Sequence, residues 1–273
     1  SLIWKNLLRR PARTALTGES DVANQPMECF DARVLAPDWT TSSFDDSSWD
    51  AAAEIRPMHT GAHGPDQSAP VEPYGLLAPR PIPQLVGDCV TATRIAHRSV
   101  KAELETEPAT ASLAALRADA GTAVTVHTFD FGAIVAGTMR CSLAAPAGTR
   151  AVVGFTEHVD AAGVPVSLGE YNGFTYVTDG TERTFETFEI IGARYAVVAV
   201  ASSEAVPVIA VKERHRPRPA GPAFECSDPA LNRIHAIGLR TVDLNAFDAY
   251  TDCPTREQRA WTGDSVVHQM VDL

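Results

Sequence analysis

The sequence predicts a multidomain, mainly β chain: an antiparallel β-sandwich followed by a helical segment. Three observations carry this expectation. Between Gln84 and about Val211, short β-branched or aromatic runs alternate with turn residues about every ten positions, as strands of a sandwich do. A stretch dense in Pro and Gly, RPMHTGAHGPDQSAPVEPYGLLAPRPIP, stands before that region and sustains neither a helix nor a central strand. After a second Pro-rich joint, KERHRPRPAGP, the apolar spacing changes to that of a helix.

Taken in order, residues 1–55 are mixed and end in WTTSSFDDSSWD. The acids and Trp of that segment can bind sugar or calcium, but a turn with Trp49 packed in a sandwich core is the preferred reading. Residues 56–83 read as a connector. His59 and His63 have the spacing of a zinc pair, which only a helix aligns, and Pro57, Gly61, Gly64 and Pro65 forbid one. Residues 84–212 form the sandwich, with strand runs in TAVTVHTFDFG, GTMRCSLAAP, AGTRAVVGFTEHVD, AAGVPVSLGE, NGFTYVTDG and TERTFETFEIIGARYAVVAVA. Within it, ELETEPATASLAALRADA has room for one short helix. GAIVAGT at Gly132 lacks the lysine of a phosphate loop and lies among strands, so phosphate binding is set aside.

Residues 213–226 are a linker, and residues 227–273 are helical. Ser227 or Asp228 can cap a helix whose first turn carries Pro229. Leu231, Ile234, Leu239 and Val242, with Ile237 or His235 between them, recur at helical spacing. A second helix is expected from Asp264 to the end, which leaves DCPTREQRAWTGD in the loop between two helices.

Composition narrows the function. Hydrophobic residues make up 45% and charged residues 21%, in the range of a folded globular chain. The formal charge of -11 repels phosphate backbones and anionic membranes, so neither nucleic acid nor membrane is an expected partner. No apolar run approaches the roughly 20 residues that span a bilayer. The five cysteines are far apart and never form a CxxC pair, which argues for reduced thiols and no zinc cluster. SLIWKNLLRRPART is basic and partly apolar without the pattern of a signal peptide, and the expected location is cytoplasmic. The chain starts without Met and in mid-pattern, so the expectation includes a missing true N-terminus.

The loop carries the chemistry. Pro254 fixes one backbone angle and Gly263 is expected to free another, shaping the segment into a turn. Its carboxylates, arginines and indole match a sugar site: carboxylates accept hydroxyl hydrogen bonds, arginine donates in a fork, and an indole face covers the apolar side of a pyranose. A carboxyl against an apolar wall such as Trp261 keeps its proton near neutral pH and serves as general acid, and Glu257 is placed best for that role. The plain structural alternatives are an N-cap at Thr262 or Asp264, surface ion pairs of Arg256 with Glu257 or Arg259 with Asp264, and a core Trp261. Cys253 has no clear His partner and reads as an inert thiol, and His268 as core or surface.

DCPTREQRAWTGD closely resembles the DCPxRxE…WTGD signature of bacterial α-L-rhamnosidases, glycoside hydrolase family 78. FDFGAIVAGTMRCSLAAPAGTRAVVGFTEHVDAAG resembles that family's sandwich segment, GARYAVVAV its GFRYVEV strand, and SDPALNRIHAIGLRT the first helix of its catalytic barrel. CFDARVLAPDWTTSSFDDSSWDAA is similar to the end of its N-terminal β-domain, so residues 1–55 are expected to be the C-terminal part of such a domain. The resemblance implies β-sandwich domains followed by the first helices of an (α/α) six-hairpin barrel. It implies removal of terminal α-linked L-rhamnose from a glycoside or polysaccharide, with inversion and with no cofactor or metal.

By motif position Glu257 matches the general acid, and Asp252, Arg256, Trp261 and Asp264 match residues that surround the sugar. Many members carry one residue more between the Arg and the Trp; the shorter form puts the acid directly after the Arg. Thr255 replaces a common Gln. The base of the family is a later barrel Glu, and an inverting pair stands roughly 6.5 to 9.5 Å apart. The chain ends at Leu273, so the expectation is a fragment without its base, inactive alone. The competing expectations are a non-catalytic carbohydrate-binding sandwich and a related (α/α)-barrel hydrolase for another deoxysugar or a uronic acid.

Overall fold

The computed structural model describes residues 28–34, 38–51, 79–102, 104, 122–165, 173–218, 224–255 and 258–272. Residues 56–78 of the connector, with His59 and His63, lie outside them, as does ELETEPATASLAALRADA apart from Leu104. In chain order the described elements are β1 (Glu28–Asp31), β2 (Cys89–Thr91), β3 (Thr93–Ala102), β4 (Thr122–Leu143), β5 (Arg150–Thr156), β6 (Gly173–Val177), β7 (Arg183–Val200), β8 (Val208–Glu213), α1 (Pro229–Asp243) and α2 (Thr262–Asp272). The chain is mainly β, as expected.

The strands join in the order β1-β6-β5-β7-β4-β8-β2, with β3 also on β4. All pairs are antiparallel except β1 with β6, where Glu28–Asp31 runs parallel to Phe174–Val177. One strand is much longer than the runs the sequence displays. TAVTVHTFDFG and GTMRCSLAAP merge into β4, 22 residues long, which bends where its register on β7 shifts between Asp130 and Val135. Gly132 sits in that bend at φ 84°, a conformation cheap only for glycine. The first half of β4 lies between β3 and the end of β7, and its second half between β8 and the start of β7.

The bend lets one sheet fold over itself into two layers. Phe174 of β6 meets Phe185 of β7 edge-on at 5.0 Å, and Phe30 of β1 stacks on Phe185 at 4.6 Å. Between the layers Val153, Phe155, Phe174 and Tyr176 pack with Met139, Cys141, Leu143, Ile209 and Val211 in one buried cluster. Each such side chain contributes about 1.5–3 kcal/mol through burial. Trp49 is not part of this core: it is partly exposed and packs on Phe44 at 5.2 Å, because its turn folds on itself. The AAGVPVSLGE run holds a turn and an isolated Val159–Pro165 bridge instead of a strand as far as it is described.

All four cysteines with described side chains are free thiols. Cys141 is fully buried, which pushes its thiol up to about 12, whereas Cys89 is exposed. Iodoacetamide is therefore expected to alkylate Cys89 in the native protein and Cys141 only after unfolding, read by peptide mass spectrometry. Equal labelling of the two in the native state would contradict this burial.

The helical segment begins as the sequence predicts. Asp228 caps α1 by accepting the Ala230 amide at 2.8 Å, with Pro229 in the first turn, an arrangement worth about 1 kcal/mol. Charged groups tie α1 to the sandwich and linker. Arg240 donates to Glu213 at 2.5 Å and to the Ile134 carbonyl at 3.1 Å, and Arg218 donates to Asp243 at 2.6 Å. The apolar stripe therefore turns away from the sandwich. Leu231, Ile234 and Ile237 are exposed and only Val242 is buried; Val266, Val267 and Met270 of α2 are exposed as well. Among the described residues no helix is long and apolar enough to cross a membrane.

Candidate active site

After α1 the chain reverses through a short turn. Asn245 is buried, donates to the Thr241 carbonyl and accepts the Thr251 amide at 2.9 Å on its own carbonyl. Ala246 and Tyr250 form a bridge across the turn. Arg216 from the linker lies over the Tyr250 ring at 4.5 Å and hydrogen-bonds its hydroxyl. Arg80 donates to Asp248 at 2.5 Å, and this hydrogen bond holds the Asp248 carboxyl below its usual range. The turn thus delivers Asp252 from a base fixed by two distant arginines.

Asp252 then closes a loop. Its amide donates to the Arg259 carbonyl at 2.9 Å, and its Oδ1 accepts the Arg259 amide at 2.7 Å. Its Oδ2 accepts the Cys253 thiol at 3.2 Å. Of the residues between the ends of this loop, Arg256 and Glu257 lie outside the described residues, and Pro254, Thr255 and Gln258 within them. Gln258 takes a left-handed backbone at φ 52°, where a side chain with a Cβ is strained by about 1 kcal/mol or more. Its amide offsets that by donating to the Pro254 carbonyl at 2.5 Å and to the Ile190 carbonyl of β7 at 3.0 Å. This corrects the expected hinge: Gly263 lies in the first turn of α2, and Gln258 makes the bend.

Trp261 stands where the loop enters α2. Its amide donates to the Arg259 carbonyl at 2.9 Å, while its own carbonyl accepts the Ser265 amide and hydroxyl at 3.0 and 2.9 Å. Trp261 is 53% exposed, so it stands at the surface beside the loop and is not a core residue. Helix α2 starts at Thr262, two residues before the expected Asp264, which sits exposed in the first turn, where the helix dipole favours a carboxylate. His268 is partly buried and packs on Tyr250 at 5.5 Å. The structure therefore places Asp252, Trp261 and Asp264 along one loop and helix start. Among the described residues no group of three His, Cys, Asp or Glu side chains is placed to hold a metal.

Three residues of the site were not singled out from sequence. Glu157, just past β5, accepts the Thr255 hydroxyl at 2.5 Å. Gly192 on β7 faces the loop so closely that a Cβ there would lie 2.1 Å from the Pro254 carbonyl oxygen. Gln258 is the third. Glu157 and Thr255 are 98 residues apart, and no local pattern links them; the only trace was their presence inside two separately recognised segments.

Residues 220–272 match the family model described as the bacterial alpha-L-rhamnosidase 6 hairpin glycosidase domain. An alpha-L-rhamnosidase of Formosa agariphila is 26% identical over 250 residues, covering 87% of this chain and 22% of that protein. An alpha-L-rhamnosidase of Streptomyces avermitilis is 25% identical over 244 residues, covering 87% of this chain and 20% of that protein. The structure of an alpha-L-rhamnosidase from Dictyoglumus thermophilum superposes with a TM-score of 0.60 at 20% identity, over 86% of this chain and 23% of that one, a likeness of fold. The chain spans about a fifth of the length of the curated relatives it matches. The similarity to bacterial α-L-rhamnosidases thus runs from the sandwich into the first helices of the barrel domain.

Proposed function

We propose that the chain carries the acid-bearing loop of a glycoside hydrolase that removes terminal α-L-rhamnose from glycosides or polysaccharides with inversion. The observation that supports this best is the clasped loop at Asp252–Arg259, lying between two helices inside the segment matched by the rhamnosidase barrel model. Glu257 is the general acid in this reading. Its carboxyl proton passes to the glycosidic oxygen as the bond from that oxygen to the anomeric carbon breaks. A water adds to the opposite face of the sugar and gives its proton to a second carboxylate.

The remaining motif residues take supporting roles. Arg256 donates to sugar hydroxyls, Asp264 accepts from them, and the exposed Trp261 face covers the apolar side of the ring. Asp252 first holds the loop closed, and the acceptor capacity left on its oxygens faces the same task. The apolar residues exposed on α1 and α2 suit the inner packing of a helical barrel. The motif supplies the acid and no partner in the role of base, so the 273-residue polypeptide by itself is proposed to be inactive.

The test is hydrolysis of p-nitrophenyl α-L-rhamnoside by the gene product that carries this sequence, with the anomer of the first-formed rhamnose read by proton NMR. Release of β-L-rhamnose supports the reading. Initial release of the α-anomer would remove the inverting mechanism. No release at all would favour a sandwich that binds carbohydrate without cleaving it, or another sugar.

A further inference from the structure

We infer that Glu157 and Gly192, two residues of the β-sandwich, together with Gln258, are positioning residues for the acid at 257. This rests on the proposed role of Glu257. In sequence Glu257 lies between Thr255 and Gln258, and both of these residues are fastened to the sandwich. Thr255 donates its hydroxyl to Glu157 at the end of β5 at 2.5 Å. Gln258 donates to the Ile190 carbonyl of β7 at 3.0 Å. Next to Thr255 in the chain, the Pro254 carbonyl comes so close to β7 that only glycine fits at 192. A second bond, from Gln258 to the Pro254 carbonyl at 2.5 Å, ties the two ends of the tip to each other.

The consequence is mechanical. A loop between two helices is free to shift with either of them, and a general acid works only within hydrogen-bond reach of the leaving oxygen. Here the loop is closed on itself by Asp252 and Arg259 and then seated on strands whose own positions are set by the buried core. The sandwich thereby serves as the fixed reference against which the acid is aimed. An added methyl at 192 forces the Pro254 carbonyl back by about an ångström, a displacement of the size that costs roughly 100-fold when a catalytic group is misplaced.

The test separates aiming from stability by the leaving group. Departure of 2,4-dinitrophenolate needs no proton, whereas departure of p-methoxyphenol does. The gene product carrying this chain is compared with Gly192→Ala, Thr255→Val, Glu157→Leu and Glu157→Gln on the two aryl α-L-rhamnosides. The proposal expects Gly192→Ala, Thr255→Val and Glu157→Leu to lose about 10- to 100-fold in kcat/KM on the p-methoxyphenyl substrate and less than about 3-fold on the dinitrophenyl one. Glu157→Gln keeps an acceptor oxygen for Thr255 and stays within about 3-fold of wild type on both.

Thr255→Val removes one hydroxyl at constant shape, so it carries the test if Gly192→Ala fails to fold. Parallel losses on both substrates, or no loss, would overturn the positioning role and leave the proposed activity standing. A wild type inactive on both substrates would overturn the activity, and this role with it.

Discussion

In the gene product that carries this sequence, replacing the proposed acid Glu257 by Gln is expected to lower hydrolysis of p-nitrophenyl α-L-rhamnoside by about 10²- to 10⁴-fold while leaving the unfolding midpoint unchanged. The substitution keeps size and shape and removes the one proton that the leaving oxygen requires. Without that proton the bond must break to an alkoxide or phenolate, whose developing charge the proton would have neutralised. The loss should grow as the leaving group becomes more basic, and the fall of kcat/KM at high pH, which reports deprotonation of the acid, should vanish. An unchanged rate would move the acid to another carboxyl. Asp252 is the weaker replacement, because one of its oxygens already accepts the Arg259 amide and the other the Cys253 thiol. Asp264, exposed in the first turn of α2, would be tested next.

What could be read from sequence, and what could not, follows from the range of the interactions. The start of α1 was legible because a cap is local: Asp228 and the amide it accepts are two residues apart. The loop between helices was legible for the same reason, while the acid proposed at Glu257 rests on the motif and lies outside the described residues. Burial was less so. Leu231, Ile234 and Ile237 mark a helix correctly by their spacing, yet the face they make is exposed, because Arg240 and Asp243 dock the other side.

Strand length was misread where a strand bends. Asp130 to Val135 looks like a turn between two strands, but the backbone passes through it with a register shift and stays in the sheet. β3 and β8 were not singled out either. β3 reads TRIAHRSVKA, with most of its residues exposed at the edge of the sheet, so it lacks the apolar alternation that flags a strand. The bend at Gln258 was hidden because its left-handed backbone is held by bonds to Pro254 and Ile190, and Ile190 is 68 residues away. Sequence offered Gly263 instead, the residue type that usually marks such a turn.

The second large effect concerns the frame on which that loop sits. Phe174→Ala is expected to destabilise the sandwich by about 3–5 kcal/mol, and Phe188→Ala by less than about 0.5 kcal/mol. Both are phenylalanines on strands, and their surroundings decide the difference. Phe174 is 0% exposed and touches rings of both layers, Phe155 at 6.0 Å and Phe185 at 5.0 Å, so its loss leaves a cavity between the layers that neither can collapse into. Phe188 is 58% exposed on β7, and its removal opens no cavity. Tyr176 sharpens the comparison. It is as buried as Phe174, yet its hydroxyl has no hydrogen-bond partner among the described residues, and burial raises that phenol to about 12. Tyr176→Phe removes the unpaired group and keeps the ring, so it should be neutral or stabilising. Urea unfolding of the three variants against wild type checks the order. A Phe188→Ala loss as large as that of Phe174→Ala would mean that the outer face of β7 is packed as tightly as the inner one. The seat of the acid loop at Ile190 and Gly192, two and four residues further along the same strand, would then be braced from both sides of the sheet.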